Sequence, residues 1–316
     1  MAVIQLVYFY SRSIKDLTVS YRVSVLGLPR SGKTALIAAI FDNVFSSSVS
    51  GKFSPAGQET ISRVNKFIAT LDARHPIPPT KESDVFVFRF LLFVKRRLLG
   101  RIRYEGEIVD FPGELSEKLL ASAEDGSVDD DIMLFHREFF SWVLSSKVHL
   151  FVIDLAAFLG AKSRSSFAAN ISAQIRATWQ ILNEEIGGGA FPDRKVALVF
   201  TKVDLLNFFD LGIPLPKSEQ DKLSTMAYDA PPPRHPPRRT RDSVAMESDE
   251  YLKFTFEELV AYFNGQDCEF ESFTVSAYRN AEGIRPGVDN LVRFILPHGV
   301  VSSFGTAVRL GTVLNQ

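Results

Sequence analysis

The chain has 316 residues, 46% of them hydrophobic and 27 of them Phe, which suits one large core with insertions or one core plus a small appendage. Its 36 basic and 37 acidic residues nearly cancel, so the overall charge argues for neither a nucleic-acid nor an acidic partner. The single cysteine, Cys268, excludes an intramolecular disulfide and a cysteine-based zinc site, and it fits a reducing compartment.

The N-terminus has no basic lead and no cleavage site, and no run reaches the roughly 18 apolar residues of a spanning helix. The expectation is a cytoplasmic protein. Residues 3–10 read as a strand or docking arm. Tyr21–Leu26 reads as a buried strand running into the glycine loop 27–32, followed by a helix over Lys33–Phe45 with Leu36, Ile37, Ile40, Phe41 and Val44 on one face. A helix over 57–73 carries Ile61, Val64, Ile68 and Leu71 and ends at the Pro-rich stretch His75–Pro79. Asp84–Lys95 and Arg101–Asp110 read as antiparallel strands joined by a basic turn. Further on come a Phe-rich helix at 132–146, a strand at His149–Leu155, and a long helix over Ser163–Ile186 stopped by Gly187-Gly188-Gly189. A strand follows at Lys195–Thr201, then a Pro/Arg-rich stretch at 207–249 that cannot pack as a core. A helix at 251–263, a strand at 268–276 and a helix near 287–296 close the pattern.

Strands alternating with helices predict an α/β fold. Three layers are expected, with a mostly parallel sheet, one antiparallel hairpin edge and helices on both faces. The expected organisation is an arm at 1–18, one domain over 19–296 with insertions at about 46–80 and 207–249, and a tail at 297–316.

Gly27-Leu28-Pro29-Arg30-Ser31-Gly32-Lys33-Thr34 fits G-x-x-x-x-G-K-[ST] and sits between a buried strand and an amphipathic helix. Such a loop points backbone N–H groups inward at phosphate, and glycine lets the backbone come close. Gly27, Arg30, Ser31, Gly32, Lys33, Thr34 and Ala35 are therefore candidate nucleotide-binding residues. Lys33 supplies positive charge between β- and γ-phosphates, and Thr34 offers a hydroxyl to Mg²⁺. Arg30 also reads as a solvent-facing loop residue.

Thr201-Lys202-Val203-Asp204 closes a strand and matches [NT]-K-x-D. The Asp204 carboxylate would accept from guanine N1–H and the 2-amino group, with Lys202 along the base or ribose. Read alone, the tetrapeptide is also an ordinary strand end. Asp110-Phe111-Pro112-Gly113 matches D-x-x-G, with Asp110 toward Mg²⁺ and the Gly113 N–H toward the γ-phosphate; a strand ending in a Pro-Gly turn is the plain alternative. Thr80 is the candidate threonine for Mg²⁺ and γ-phosphate, ahead of Thr60 and Thr70 on the preceding helix. Ser276-Ala277-Tyr278 ends the last strand, and the Ala277 N–H is a candidate partner for guanine O6 or simply part of a small-residue turn. Arg96, Arg97, Arg101 and Arg103 read as a solvated hairpin edge, and Trp142 and Trp179 as core.

In this order GLPRSGKT, Thr80, DFPGE, TKVD and SAY resemble the translation-factor-related class of P-loop GTPases, with a Ras-like core, over residues 19–296. The L-P-x-S-G-K-T loop and the D-x-P-G-E form look most like the bacterial double-GTPase group. The resemblance implies GTP binding with Mg²⁺, hydrolysis to GDP and phosphate, and a nucleotide-dependent switch acting on a protein effector or activator. It also implies possible nucleotide-dependent dimerisation and a setting in bacterial conflict or defence systems. Lys33, Gly113 and Glu114 are its catalytic candidates.

Four departures matter. Pro29 stands where Ras-like loops carry glycine, Glu114 stands where they carry the water-orienting glutamine, and Tyr278 replaces a lysine. The interval from Thr34 to Thr80, 46 residues, holds an extra helix. These leave open a GTP-dependent scaffold without turnover. An ATPase or nucleotide kinase sharing the phosphate loop is the remaining alternative.

Overall fold

The computed structural model describes residues 17–46, 53–78, 85–96, 100–111, 113, 137–185, 194–204, 252–253, 255–280 and 283–297. The arm before residue 17, Thr80, Glu114, the glycine stop at 187–189, the 207–249 stretch and the tail beyond residue 297 lie outside these. Among the described residues seven strands form one sheet: β1 (Leu17–Gly27), β2 (Phe53–Ala56), β3 (Phe86–Arg96), β4 (Gly100–Asp110), β5 (Val148–Asp154), β6 (Lys195–Thr201) and β7 (Glu269–Thr274). Their spatial order is β2-β3-β4-β1-β5-β6-β7. β4, β1, β5, β6 and β7 run parallel, while β2 and β3 pair antiparallel at one side.

The described helices are α1 (Lys33–Ser46), α2 (Gln58–Asp72), α3 (Arg137–Ser145), α4 (Leu155–Gly160), α5 (Arg164–Glu185), α6 (Glu257–Asn264) and α7 (Val288–Ile295). They split between the two faces because the strands are apolar on both. Val23 and Val25 of β1 join Ile37, Phe41, Val64, Leu291 and Val292 on the face covered by α1, α2 and α7. Leu26, Phe151 and Leu198 join Val143, Phe158, Trp179, Leu259 and Phe263 on the face covered by α3 to α6. The three-layer α/β expectation is met.

Two elements were not anticipated. β2 is only four residues long and contains Pro55, which an edge strand tolerates because one side of its backbone needs no ladder partner. Phe53 anchors it, stacking on Phe90 at 4.7 Å between ring centroids. α4 is a single short helix whose start is set by Asp154, the side chain of which accepts from the Ala156 N–H at 2.8 Å. Trp179 is buried as expected. Trp142 is only half-buried and lies under the Arg22 guanidinium, 4.3 Å from its ring centroid, so it borders the core rather than filling it. Arg103 pairs with Glu105 at 2.7 Å in solvent, in keeping with a solvated edge.

At the end of the sheet where β5 and β6 begin, the buried His149 ring takes Ser24 Oγ at 2.9 Å on Nδ1 and Arg194 Nη1 at 3.1 Å on Nε2. An arginine only donates, so Nε2 accepts and Nδ1 carries the proton. Nearby, Lys195 Nζ donates to the Phe294 and Leu296 carbonyls at 2.8 and 3.3 Å, and Tyr21 Oη donates to the Ile295 carbonyl at 2.5 Å. These bonds satisfy the carbonyl end of α7, which would otherwise lack partners.

Candidate functional site

The chain leaves β1 toward β3 and β4, then crosses to β5 on the other side. In an open α/β sheet the crevice at the carboxyl ends of strands around such a reversal is where ligands sit. The strand registers bring the sequence motifs to that edge. Val25 lies opposite Asp110, Gly27 opposite Val152, and Asp154 opposite Thr201.

The glycine loop leaves β1 at Gly27, where a Cβ would fall 2.6 Å from the Val152 carbonyl oxygen, so only glycine fits. Gly32 has φ of 91° and Arg30 has φ of 63°; the latter is a left-handed conformation uncommon for a residue with a side chain. Arg30 is exposed, as its solvent-facing reading expected. Lys33 is buried, and its ammonium donates to the Gly27 and Leu28 carbonyls at 2.8 and 2.9 Å. The loop is thus curled around its own lysine. Thr34 Oγ1 donates to Asp110 Oδ2 at 2.6 Å, and Asp110 is fully buried. Gly113 is pressed against the loop as well, since a Cβ there would lie 2.3 Å from Pro29 Cα. The D-x-x-G turn and the phosphate-type loop therefore form one surface.

The T-K-x-D segment is bonded to the same loop. Thr201 Oγ1 donates to the Ser31 carbonyl at 2.7 Å. Lys202, at φ of 64°, extends its ammonium to the Arg30 carbonyl at 3.2 Å and to Asp154 Oδ2 at 2.6 Å. Asp204 accepts from Ser276 Oγ at 2.7 Å, which joins T-K-x-D to S-A-Y. Burial pushes the Asp204 carboxyl upward, and the bond from Ser276 pulls the other way. A desolvated carboxylate with one donor already in place is well suited to take two more N–H donors from a planar base.

The segments read in the sequence as separate motifs thus meet in one crevice, apart from Thr80 and Glu114. The match to a family model decides the family: residues 21–263 fit the double-GTPase 2 family. The chain belongs to that family. Membership supports a GTP-binding switch of a GTP-hydrolysing class. No curated protein matches the sequence. Among solved structures, the chain is similar to the signal recognition particle receptor SRb-GTP/SRX complex from Chaetomium thermophilum, with 16% identity, 87% of this chain and 96% of that one covered, and a TM-score of 0.40. It is also similar to the Arl6 BBS3 small GTPase from Trypanosoma brucei with a bound nucleotide analogue, with 15% identity, coverage of 88% and 95%, and a TM-score of 0.36. At these scores neither likeness bears on function.

In this double-GTPase, sequence reasoning missed two groups of site residues. Asp154 both caps α4 and holds Lys202. Its signal was an aspartate closing a buried strand, which was absorbed into the strand His149–Leu155. The other group, Asp42, Asp72, Arg279 and Arg285, has no local signature; its members meet only through the fold.

Proposed function

We propose that this protein binds Mg·GTP in the crevice at the carboxyl edge of the sheet and hydrolyses it to GDP and phosphate. The observation that carries the reading is the mutual bonding of all the described motifs: Lys33 on its loop, Thr34 on Asp110, Thr201 and Lys202 on the loop, and Asp204 on Ser276. Loop N–H groups and Lys33 would hold the β- and γ-phosphates, while Asp204 and Ala277 would read the base. Among the described residues no group of three His, Cys, Asp or Glu could hold a metal ion by itself. A hard cation that keeps waters and phosphate oxygens needs only one or two protein oxygens, and the Thr34 hydroxyl beside the Asp110 carboxylate is such a pair. Mg²⁺ there would neutralise charge on the phosphates. Thr80 is proposed to complete that shell, with the Gly113 N–H on the γ-phosphate and Glu114 orienting the attacking water. In-line attack at the γ-phosphorus would then be favoured mainly by positioning and electrostatics.

We further propose that loss of the γ-phosphate releases the Thr80 and Gly113 segments, and that a protein partner reads this, in a bacterial conflict or defence setting. Among the described residues no helix is long and apolar enough to cross a membrane. Burial pushes the Cys268 thiol up to about 11, which suits an inert thiol.

One observation favours a second reading, a GTP-dependent scaffold without turnover. Pro29 has no N–H to offer, and its backbone is in contact with Gly113, where the γ-phosphate would have to be received. Purified, nucleotide-stripped protein separates the two. Mg²⁺-dependent release of phosphate from GTP, absent in Lys33→Ala, is expected for the enzyme. Tight GTP binding with no release favours the scaffold, and equal binding of ATP would sink the guanine assignment.

A further inference from the structure

The loop after β7 that carries Ser276 and Ala277 is held from behind by two arginines. Arg285 is buried, with its side chain 2% exposed. Its guanidinium donates to three groups at once: Nη1 to the Ala277 carbonyl, Nε to Asp42 Oδ2 at 2.7 Å, and Nη2 to Asp72 Oδ1 at 2.9 Å. Arg279, on the same loop, donates to both Asp42 oxygens at 2.9 and 2.7 Å and brings its Nε within 3.2 Å of Asp72. Arg74, in a left-handed conformation just past α2, donates to the Arg279 carbonyl at 3.4 Å.

These contacts join three elements. Asp42 belongs to α1, which begins in the phosphate-type loop. Asp72 is the last residue of α2, the inserted helix from which the chain runs toward Thr80. Ala277 sits on a turn whose other polar groups are also fixed: the Ser276 N–H on the Pro286 carbonyl at 3.0 Å, Ser276 Oγ on Asp204, and the Tyr278 N–H on Ser276 Oγ at 3.1 Å. Arg285 completes the set. A planar fork with fixed donor directions ties the placement of one group to that of the others in a way that a flexible ammonium cannot.

We propose that Arg285 is a positioning residue for guanine recognition, and that through Asp72 it couples the placement of the guanine loop to the placement of the end of α2. This rests on Asp204 and Ala277 reading guanine. Coupling between two sites is reciprocal. A base that orders the loop orders the end of α2, and releasing the end of α2 weakens the base. Guanine in either GDP or GTP then presets the end of α2, and the γ-phosphate acts only on the later segment around Thr80.

The test uses the full-length, nucleotide-stripped chain, with GDP and inorganic tripolyphosphate as ligands, titration calorimetry for affinity and amide hydrogen exchange over residues 69–75. The N–H groups of Ala73, Arg74 and His75 bond to the carbonyls of Ala69, Leu71 and Thr70, so their exchange reports the end of α2. In the parent protein GDP slows that exchange, and tripolyphosphate, which has no base, does not. Asp72→Asn weakens GDP by about 5-fold, at the low end of measured coupling, and abolishes the GDP-dependent protection. Its tripolyphosphate affinity stays within about 2-fold, since coupled effects are confined to the base. Arg285→Lys, which keeps the charge but loses the fork, weakens GDP by about 30-fold. Asp72 is 41% exposed, so its variant stays folded even if the buried Arg285 variant does not. GDP that leaves exchange at 73–75 unchanged in the parent, or that binds Asp72→Asn as tightly as the parent, overturns the coupling while guanine binding stands. A parent that binds tripolyphosphate but shows no gain with GDP overturns the guanine reading and the coupling with it.

Discussion

The proposed phosphate side and the proposed guanine side of the crevice are built by different means. The phosphate side is one continuous stretch, Gly27 to Thr34, closed on itself by Lys33 and touched by Asp110 and Gly113. The guanine side is assembled from the ends of β5, β6 and β7 and is held by side chains far apart in the sequence, such as Arg285 on Asp42, 243 positions away. A site made of backbone within one turn writes itself into local residue types. A site made of ion pairs between distant elements leaves only isolated Asp and Arg residues in the sequence.

That contrast also governs what could be read beforehand. The strand–loop–helix unit around Lys33 was legible because periodicity and glycine spacing act over a few residues. The hairpin of β3 and β4, the β6 strand and α5 were legible for the same reason. β2 was not, since four residues with a proline carry no period and the strand is held by distant partners, its pairing with β3 and Phe53 on Phe90. Asp204 and Ser276 were legible as strand ends, but the hydrogen bond between them needed β6 and β7 to be neighbours. Asp154 was rightly read as part of a strand, but its second role as the cap of α4 was missed, because its bond from Ala156 belongs to a helix too short to show a pattern.

The sharpest break in the comparison is expected on the phosphate side. Lys33→Ala removes an ammonium aimed into the loop and should weaken both GTP and GDP by about a thousandfold, the scale of two charge-assisted bonds. Calorimetry on stripped protein checks this, and retained binding would remove Lys33 from the site. Gly113→Ala comes next. Its methyl would collide with Pro29 backbone, so the turn must withdraw from the loop. GTP turnover should fall about a hundredfold, the scale of one lost transition-state donor, with GDP affinity unchanged. A parallel loss of GDP binding would mean instead that the loop itself had been deformed.

Asp204→Asn sharpens the guanine side. Asparagine keeps the shape and the Ser276 contact but turns one acceptor into a donor. GDP should weaken by about thirtyfold, the scale of one charged hydrogen bond, while ADP should not. A mixed competition with both nucleotides reads the ratio directly, and an unchanged ratio would exclude Asp204 as the base reader.

The opposite end of the sheet supplies a control that touches neither side. Burial, helped by the neighbouring Arg194, pulls the His149 pKa down to about 3, so the folded protein keeps it neutral. The unfolded chain takes up that proton below its ordinary value near 6.5. Stability is therefore fully present above about pH 6.5 and is lost as the pH falls toward 3, at up to about 1.4 kcal/mol per pH unit. Urea unfolding at pH 7.5 and pH 5 should differ by about 2 kcal/mol from this residue alone. His149→Gln should flatten that difference and leave GDP affinity at pH 7.5 unchanged.

The smallest effect separates the two roles of Asp154. Its Oδ1 caps α4 and its Oδ2 holds Lys202, which reaches on to the Arg30 carbonyl in the phosphate-type loop. Beside the Thr201–Ser31 bond, Asp154 is a second tie between the T-K-x-D segment and the phosphate-type loop, and its two jobs have different chemical requirements. Asparagine caps a helix as well as aspartate does, but it cannot pair with an ammonium. Asp154→Ala should lower stability by about 1 kcal/mol through the cap and weaken GDP about threefold through the freed lysine. Asp154→Asn should restore the stability and leave the affinity loss. If the asparagine variant recovers both, Lys202 is held well enough by the Arg30 carbonyl alone, and the two halves of the crevice are joined through backbone rather than through charge.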